Sequence, residues 1–339
     1  MPKVCLSMIV RNEAHCIERC LNSVKWLVDC YRIVDTGSTD GTIETICRVM
    51  DGIPGVITKS QWQDNFALHR NEAIPDPYFM RVRGLRGEDY ALMMDADDEM
   101  KVGMPFLKDA LVDDCYSMAN VDGDMSNYRV HLWKLKTHAR WLLARHEILE
   151  GLPIRSVLRP EQICILIHHE GDRSKNPLKG INDAIAILKD LKNYSKYSQE
   201  YRYCLFLLGC CFVDTQVYDK AMRYYREFLK LADETDNIEN IWMANNMMAT
   251  CAFMSHKPLN EVVEAYMAAI NADPNRLESY FLLARLLVDR GSLQTAKMLI
   301  YNACKLNKRP YALKHMEKWW GLRETFYQEI CQAIQEEQA

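Results

Sequence analysis

The first half of the chain alternates short apolar runs with amphipathic stretches. "VCLSMIV" and "YRIVDTGS" are apolar enough to form buried strands, and each precedes a stretch with apolar residues at helical spacing, such as "HCIERCLNSVKWLVD". Two further runs, "GVITKS" and "DYALMMD", continue the pattern. Strands that alternate with helices predict a mostly parallel sheet covered by helices on both faces.

From about residue 176 onward, the pattern changes to one helix after another. Small, aromatic and apolar residues recur in a register that resembles the tetratricopeptide repeat, with one interval of about 34 residues and a longer one before it. The three copies use Leu208, Gly209, Phe212, Ala221 and Tyr225; Ala249, Phe253, Tyr266, Ala269 and Pro274; and Leu283, Leu287, Ile300, Ala303 and Lys308. We expect about three repeats and a terminal capping helix with Trp319 or Trp320 packed inward; the alternative is a generic helical bundle.

Polar residues follow three of the predicted strands. Arg11, Asn12 and Glu13 come directly after the first strand, Asp35 ends the second, and Asp95 opens an acidic stretch after the fourth. Ligands of such sheets bind beyond the carboxyl ends of the strands. These three strand ends therefore predict one binding site.

The acidic stretch after the fourth strand reads "DADDE". Burying like charges together is costly unless a cation or a proton lies among them. Asp95 and Asp97 flank the small Ala96, which allows a tight turn, and carboxylate oxygens are preferred ligands of hard divalent cations. We expect Asp97, with Asp95, to bind Mn²⁺ or Mg²⁺; the alternative is a solvated acidic turn.

The composition excludes few classes of protein. The chain has 339 residues, 49% of them hydrophobic and 26% charged, which is ordinary for a globular protein of roughly two domains. A net charge of -4 provides no global basic field for nucleic acid or an anionic membrane. The 13 scattered cysteines fit a reducing compartment, and no run approaches the ~18 apolar residues of a membrane span, so we expect a cytoplasmic protein.

Four blocks of the first half resemble, in order and spacing, the inverting GT-A glycosyltransferases of the family 2 type. The blocks are "LSMIVRNEAHCIERCLNSV", "RIVDTGSTDGT", "DNFALHRNEAI" and "ALMMDADDEM". The resemblance implies an α/β GT-A domain, Rossmann-like with a mostly parallel sheet, over residues 1–175. An all-α tetratricopeptide-like domain would follow over residues 176–339. It also implies a nucleotide-sugar donor, with UDP the favoured nucleotide.

The resemblance further implies which residues contact the donor. They are Arg11, Asn12, Glu13, Asp35, Arg70, Asn71 and Asp95. The segment after the first strand would form the nucleoside pocket, with Asp35 at the edge of the base. Arg70 and Asn71 would reach the ribose or the diphosphate, because a guanidinium fork matches two phosphate oxygens. The alternative is that Arg70 pairs with Glu72 or Asp64 on the surface.

The catalytic base and the last metal ligand remain open between alternatives. Inverting displacement at a sugar's anomeric carbon requires a carboxylate that deprotonates the acceptor. Glu147 is the first candidate and Asp98 the second, since no clear copy of the acidic pair that many family members carry downstream is present. The resemblance implies His169 as a further metal ligand, with His168 as the alternative.

The sequence therefore predicts a metal-dependent glycosyltransferase, a hexosyl or pentosyl transferase. The donor sugar stays open, and so does the acceptor, which is a protein or peptide, a glycan or a modified base. We expect the helical half to bind a protein or to form a homodimer. The alternative is a tetratricopeptide scaffold attached to a non-catalytic nucleotide-binding domain, against which the intact set of polar residues argues.

Overall fold

The computed structural model of the chain forms two compact units, Met1–Lys179 and Gly180–Ala339. The structure describes residues 1–104, 106–123, 125–153, 156–171, 176–307 and 315–338, with the backbone alone for residues 315–318. The division between the units falls close to residue 176, where the sequence pattern changes. Among the described residues, no helix is long and apolar enough to cross a membrane.

The first unit is built on a mixed sheet. Its strands are β1 (Val4–Val10), β2 (Cys30–Asp35), β3 (Gly55–Lys59), β4 (Tyr90–Met93), β5 (Glu99–Val102), β6 (Cys115–Asp122), β7 (Met125–Lys134), β8 (Arg140–Leu142), β9 (Ile148–Glu150), β10 (Ser156–Val157) and β11 (Ile163–Leu166). The strand order is β3-β2-β1-β4-β7-β6-β11-β5, β10 also pairs with β6, and β8 pairs separately with β9. The α-helices in the described part of this unit are α1 (Ile17–Val24), α2 (Thr42–Val49), α3 (Phe66–Ala73) and α4 (Pro77–Arg83).

The prediction of a mostly parallel sheet is confirmed. β1 pairs in parallel with β2 and β4, and β2 pairs in parallel with β3. β7 is an exception, because it runs antiparallel to both β4 and β6. β1 and β4 give continuous apolar signals because they are buried on both faces, whereas β7 has no such signal.

The second unit is helical, as the sequence predicts. Its elements are α5 (Lys179–Asp190), α6 (Gln199–Asp214), α7 (Tyr218–Leu231), α8 (Ile238–Met254), α9 (Leu259–Ala272), α10 (Leu277–Val288), α11 (Leu293–Cys304), a short strand β12 (His315–Met316) and α12 (Glu317–Gln338). Consecutive helices pack in the pairs α6 with α7, α8 with α9 and α10 with α11. These pairs are the three tetratricopeptide-like repeats that the sequence register predicts.

The repeat register also predicts many of the buried positions of the helical unit. Ala249, Ala269 and Ile300 are fully buried, but Phe253 is 46% exposed and does not belong to the core. Lys308, the last position of the third copy, lies outside the described residues.

α12 packs against α10 and α11 as the expected capping helix. Both candidate tryptophans contribute to this contact. Trp320 is buried, and the ring of Trp319 stacks on Phe281 of α10.

Gly209 lets two helices of the first repeat approach closely. A Cβ atom at this position would lie 2.4 Å from the ring of Tyr225, which is fully buried. Because the ring cannot move into solvent, any larger residue forces the helices apart.

We predict that Gly209→Ala lowers the free energy of unfolding by about 1–3 kcal/mol, since overpacking a filled core is destabilising. Gly321→Ala is the matched control. A Cβ at Gly321 in α12 meets nothing within 4 Å, so alanine should stabilise this helix by about 0.5–1 kcal/mol. Urea unfolding of both variants checks the prediction, and equal effects would contradict it.

His131 links three strands of the sheet below the acidic cluster. It lies on β7, where its Nδ1 is 2.8 Å from the carbonyl oxygen of Met93 on β4, and its Nε2 is 2.7 Å from Oδ1 of Asn120 on β6. The ring is fully buried, and this burial lowers the pKa of His131 to about 4.

Because the pKa of His131 is lower in the folded chain than its ordinary value, the unfolded chain binds the extra proton first. The contribution of His131 to the free energy of unfolding is present above about pH 6.5. As the pH falls towards 4, roughly 3 kcal/mol of this contribution is lost. Chemical unfolding across this range should show a smaller loss for His131→Gln than for the unmodified chain. His256→Gln, outside the buried core, should behave like the unmodified chain.

Candidate active site

The loops that follow β1 and β2 are joined by hydrogen bonds. The backbone N–H of Asn12 donates to Oγ of Ser38 (3.0 Å), and the N–H of Thr39 donates to Oδ1 of Asn12 (2.9 Å). Asn12 has φ +55°, a left-handed conformation that asparagine tolerates. Asp35, at the end of β2, is buried and accepts the N–H of Ser38 (3.0 Å). Arg11 is exposed in the first loop. Because β4 also neighbours β1, the three predicted strand ends meet at one edge of the sheet.

Asp97 and Glu13 converge on the backbone of Gly171. The N–H of Gly171 donates to Oδ2 of Asp97 (2.9 Å). A Cβ atom at Gly171 would lie 3.0 Å from this oxygen and 3.4 Å from Oε1 of Glu13. A glycine is therefore favoured here, because a side chain would crowd both carboxylates.

Arg70 is the buried cation of the site. It lies in α3, whose N-terminus is capped by Asn65, and its side chain is 7% exposed. Nη2 donates to Oδ1 of Asp95 (2.7 Å), and Nε lies 3.7 Å from Oε2 of Glu147. The guanidinium also lies over the ring of Trp141. The surface alternative is wrong, because Arg70 is buried and its ion pairs are made inside the site.

Two nitrogen atoms of Arg70 are buried without a hydrogen bond to any described residue. They are Nε and Nη1. Desolvation acts against the charged form, but Asp95 and Glu147 raise the pKa of Arg70, so it stays a cation. Buried donors without partners are costly and uncommon in proteins. An anionic ligand placed against the guanidinium would satisfy them.

The aspartates after β4 differ in charge because their neighbours differ. Burial alone would raise the pKa of Asp95, but Arg70 and then Arg129 lower it to about 2. Burial, followed by the charges of Asp95 and Asp97, raises the pKa of Asp98 to about 8. Asp98 is therefore mainly a neutral acid at pH 7, although it is a candidate base by sequence.

The two histidines after β11 each contact a carboxylate outside the predicted set of metal ligands. Nε2 of His169 lies 2.8 Å from Oδ2 of Asp122, and Nε2 of His168 lies 3.2 Å from Oε2 of Glu99. In the described part of the chain, Asp95, Asp97 and His169 do not form a group of ligand atoms within 4.8 Å of one another. The expected three-residue metal site is thus not assembled here, because His169 is oriented by β6 instead.

Asn71 occupies a structural position. Its Nδ2 donates to the carbonyl of Trp141 (2.9 Å), and its Oδ1 accepts the N–H of Trp141 (2.8 Å). Both ends of the amide therefore tie α3 to β8. The structure gives Asn71 a different contact from the donor contact that the resemblance implies, because β8 packs against α3 at this position.

Two residues of the site were not foreseen from the sequence. Arg129 on β7 places Nη1 3.9 Å from Oδ2 of Asp95, and Arg19 on α1 donates from Nη2 to the carbonyl of Asp97 (3.0 Å). Neither lies in a recognisable motif. The only available signal for Arg129 is its place in the alternating stretch "YRVHLWK" that forms part of β7.

No family model matches the chain. A TPR repeat-containing protein of Synechococcus elongatus is 36% identical over 100 residues, which are 30% of this chain and 22% of that protein. The match thus spans about a fifth of the length of this curated relative.

Among the solved structures that are similar at low identity are the following two. The structure of residues 1–349 of S. aureus TarS is 11% identical, with coverage of 81% of this chain and 92% of that one and a TM-score of 0.42. The Yersinia enterocolitica chaperone SycD, in complex with a peptide of the translocator YopD, is 17% identical. It covers 43% of this chain and 100% of its own, with a TM-score of 0.34. At these values neither likeness assigns a function to this chain.

We predict that Asn71→Ala lowers the free energy of unfolding by about 1–3 kcal/mol, because two hydrogen bonds between α3 and β8 are lost. Asn271→Ala, at an exposed position of α9, is the control and should change stability little. Thermal and chemical unfolding measure the effect. Unchanged stability, together with weaker binding of a nucleotide sugar, would instead support the donor contact implied by the resemblance.

Proposed function

We propose that the first unit is a metal-dependent glycosyltransferase that moves a sugar from a nucleotide-sugar donor, with UDP the favoured nucleotide, to an acceptor by inverting displacement. One observation carries this proposal: residues from four separate sequence blocks meet at one edge of the sheet. Asn12, Asp35 and Asp95 lie at the carboxyl ends of the neighbouring strands β1, β2 and β4, and Arg70 reaches Asp95 from α3. This edge of an α/β sheet is where such folds bind ligands.

The diphosphate of the donor would lie against Arg70. Its buried Nε and Nη1 atoms have no hydrogen-bond acceptor among the described residues, and phosphate oxygens would provide one. Arg129 adds a second positive charge near Asp95. The nucleoside would occupy the pocket formed by the loops after β1 and β2, where Asn12 and Asp35 are held by backbone hydrogen bonds.

The carboxylates of the site fit a hard divalent cation. Asp98 is driven towards its neutral form by burial and by the charges of Asp95 and Asp97, which is the sign of a site with too little positive charge. Asp97, with Asp95, would hold Mn²⁺ or Mg²⁺ through oxygen ligands. Such an ion stabilises the charge of a departing diphosphate. His169 would first have to leave Asp122 to join this set.

Glu147 is the preferred base. Asp98 lies in the acidic turn beside the proposed metal ligands Asp95 and Asp97, whereas Glu147 comes from a different segment, between β8 and β9. Glu147 approaches the same guanidinium that binds Asp95, with its Oε2 3.7 Å from Nε of Arg70. In an inverting displacement the nucleophile approaches the anomeric carbon from the face opposite the departing diphosphate, so Glu147 would have to reach the acceptor from across the sugar.

For the helical unit, we propose the binding of a protein partner, the acceptor itself or a second copy of the chain. Repeats of helix pairs present extended surfaces for such contacts. Apolar side chains are exposed on these helices, among them Phe253, Met254, Met267, Met298 and Tyr301. The acceptor is either a protein or peptide, a glycan or a modified base.

The test is a panel of nucleotide sugars with Mn²⁺ or Mg²⁺, measured by calorimetry for binding and by release of free nucleotide for turnover. We expect Asp97→Asn to weaken metal-dependent donor binding at least about tenfold, because a charged ligand is lost. We expect Glu147→Gln to lower turnover by about 10²–10⁴-fold, because proton transfer is lost, and to change donor binding much less, because the hydrogen bond from Arg70 to Asp95 remains. The matched controls are Asp51→Asn and Glu150→Gln, both at exposed positions, which should change neither property.

Two outcomes would contradict the proposal. One is that no donor in the panel binds with either metal. The other is that Asp97→Asn binds the donor as the unmodified chain does. Either would favour the alternative, a repeat scaffold whose first unit is not catalytic.

A further inference from the structure

A second group of metal-ligating side chains lies in the loop between β1 and α1. Glu13, His15 and Cys16 each offer one ligand atom, and these atoms all lie within 4.8 Å of one another. Among the described residues, this is the group of three or more metal-ligating side chains whose ligand atoms lie this close together. Its donors are a carboxylate, an imidazole and a thiol, whereas Asp95 and Asp97 offer oxygen alone.

The backbone holds these three residues in a fixed turn. The N–H groups of Cys16 and Ile17 both donate to the carbonyl of Glu13 (3.1 and 2.9 Å), and the N–H of Glu13 donates to Oγ1 of Thr42 (2.8 Å). The thiol of Cys16 lies 3.3 Å from Oε2 of Glu13. The ligand spacing is therefore set before any ion binds, which lowers the entropy cost of binding.

His15 has the contact that orients a metal-binding imidazole. Its Nε2 lies 2.8 Å from the carbonyl oxygen of Glu170. Since a carbonyl only accepts hydrogen bonds, Nε2 is the donor of this contact, and Nδ1 would be the nitrogen that binds an ion. A backbone carbonyl on the opposite ring nitrogen is the usual partner of a ligating histidine. His15 is exposed and Cys16 is buried, so an ion would enter from the side of His15.

We propose that Glu13, His15 and Cys16 form a binding site for Zn²⁺ or a cation of similar softness, separate from the Mn²⁺ or Mg²⁺ site expected at Asp97. Zinc prefers mixed nitrogen, sulfur and oxygen donors, and three protein ligands with one open position are common. Mg²⁺ takes oxygen ligands instead. On binding, the Cys16 thiol releases its proton to solvent, and the thiolate sulfur binds the ion.

Occupation of this site affects the donor site, and this consequence rests on the proposed function. Glu13 and Asp97 both approach the backbone of Gly171. An ion that holds Glu13 removes a carboxylate from the proposed nucleoside pocket, and its positive charge would repel the Mn²⁺ or Mg²⁺ proposed at Asp97. Zinc therefore lowers the affinity for the nucleotide-sugar donor.

The metal site can be tested directly with Co²⁺, which reports thiolate ligation by a charge-transfer absorption band. We titrate the metal-free 339-residue chain with Co²⁺ and then displace the Co²⁺ with Zn²⁺. We expect one equivalent of band-forming Co²⁺. Cys16→Ser should abolish the band, and His15→Ala should weaken binding at least about tenfold, because one of three protein ligands is lost. Cys47→Ser, at an exposed cysteine, and Asp97→Asn should retain the band.

The absence of the band in the unmodified chain would overturn the site, as would its persistence in Cys16→Ser. Glu13→Gln is a second variant, which keeps the Cys16 thiol and the size of the side chain at position 13. Its Co²⁺ binding should still weaken. Thermal unfolding of each variant without metal shows whether the variant folds. Cobalt binding requires no nucleotide sugar, so its failure is distinct from a failure of the proposed glycosyl transfer. If the Co²⁺ band forms but Zn²⁺ leaves the affinity for the nucleotide sugar unchanged, the metal site stands and its effect on donor binding is overturned.

Discussion

The buried guanidinium of Arg70 is the interaction on which the rest of the candidate site depends. Carboxylates at the end of β4 can be buried only if a cation or a proton balances them. Arg70 supplies that charge to Asp95, while Asp98 is balanced by its own proton. The position of Arg70 is fixed in turn by the N-cap of α3 and by the ring of Trp141.

Charge balance also explains why neighbouring carboxylates have different chemistry. Asp95 faces two arginines and stays ionised, whereas Asp98 is buried beside the charges of Asp95 and Asp97 and is mainly protonated. A bound divalent ion would reduce this difference, because it would lower the cost of ionising all three carboxylates. The protonation of these three carboxylates therefore depends on whether an ion is bound beside them.

Much of the fold could be predicted from the sequence because it follows from local patterns. The apolar runs predict β1 to β4, because strands such as β1 and β4 are buried on both faces, and the repeat register predicts the three helix pairs, because burial on one face imposes a helical period. Phe253 is an exception: its side chain fits the register but is exposed, because the register specifies a position on the helix and not what packs against it.

The sequence by itself determined which polar residues follow the strands, and adjacency in the sheet brings Asn12, Asp35 and Asp95 to one edge. Only the tertiary structure decided the partners of these residues. Arg129 reaches Asp95 from β7, Glu147 reaches Arg70 from a distant loop, and Asn71 turns to β8. The physical reason is that motif spacing is a local property, whereas ion pairing and desolvation depend on every segment that folds against the site.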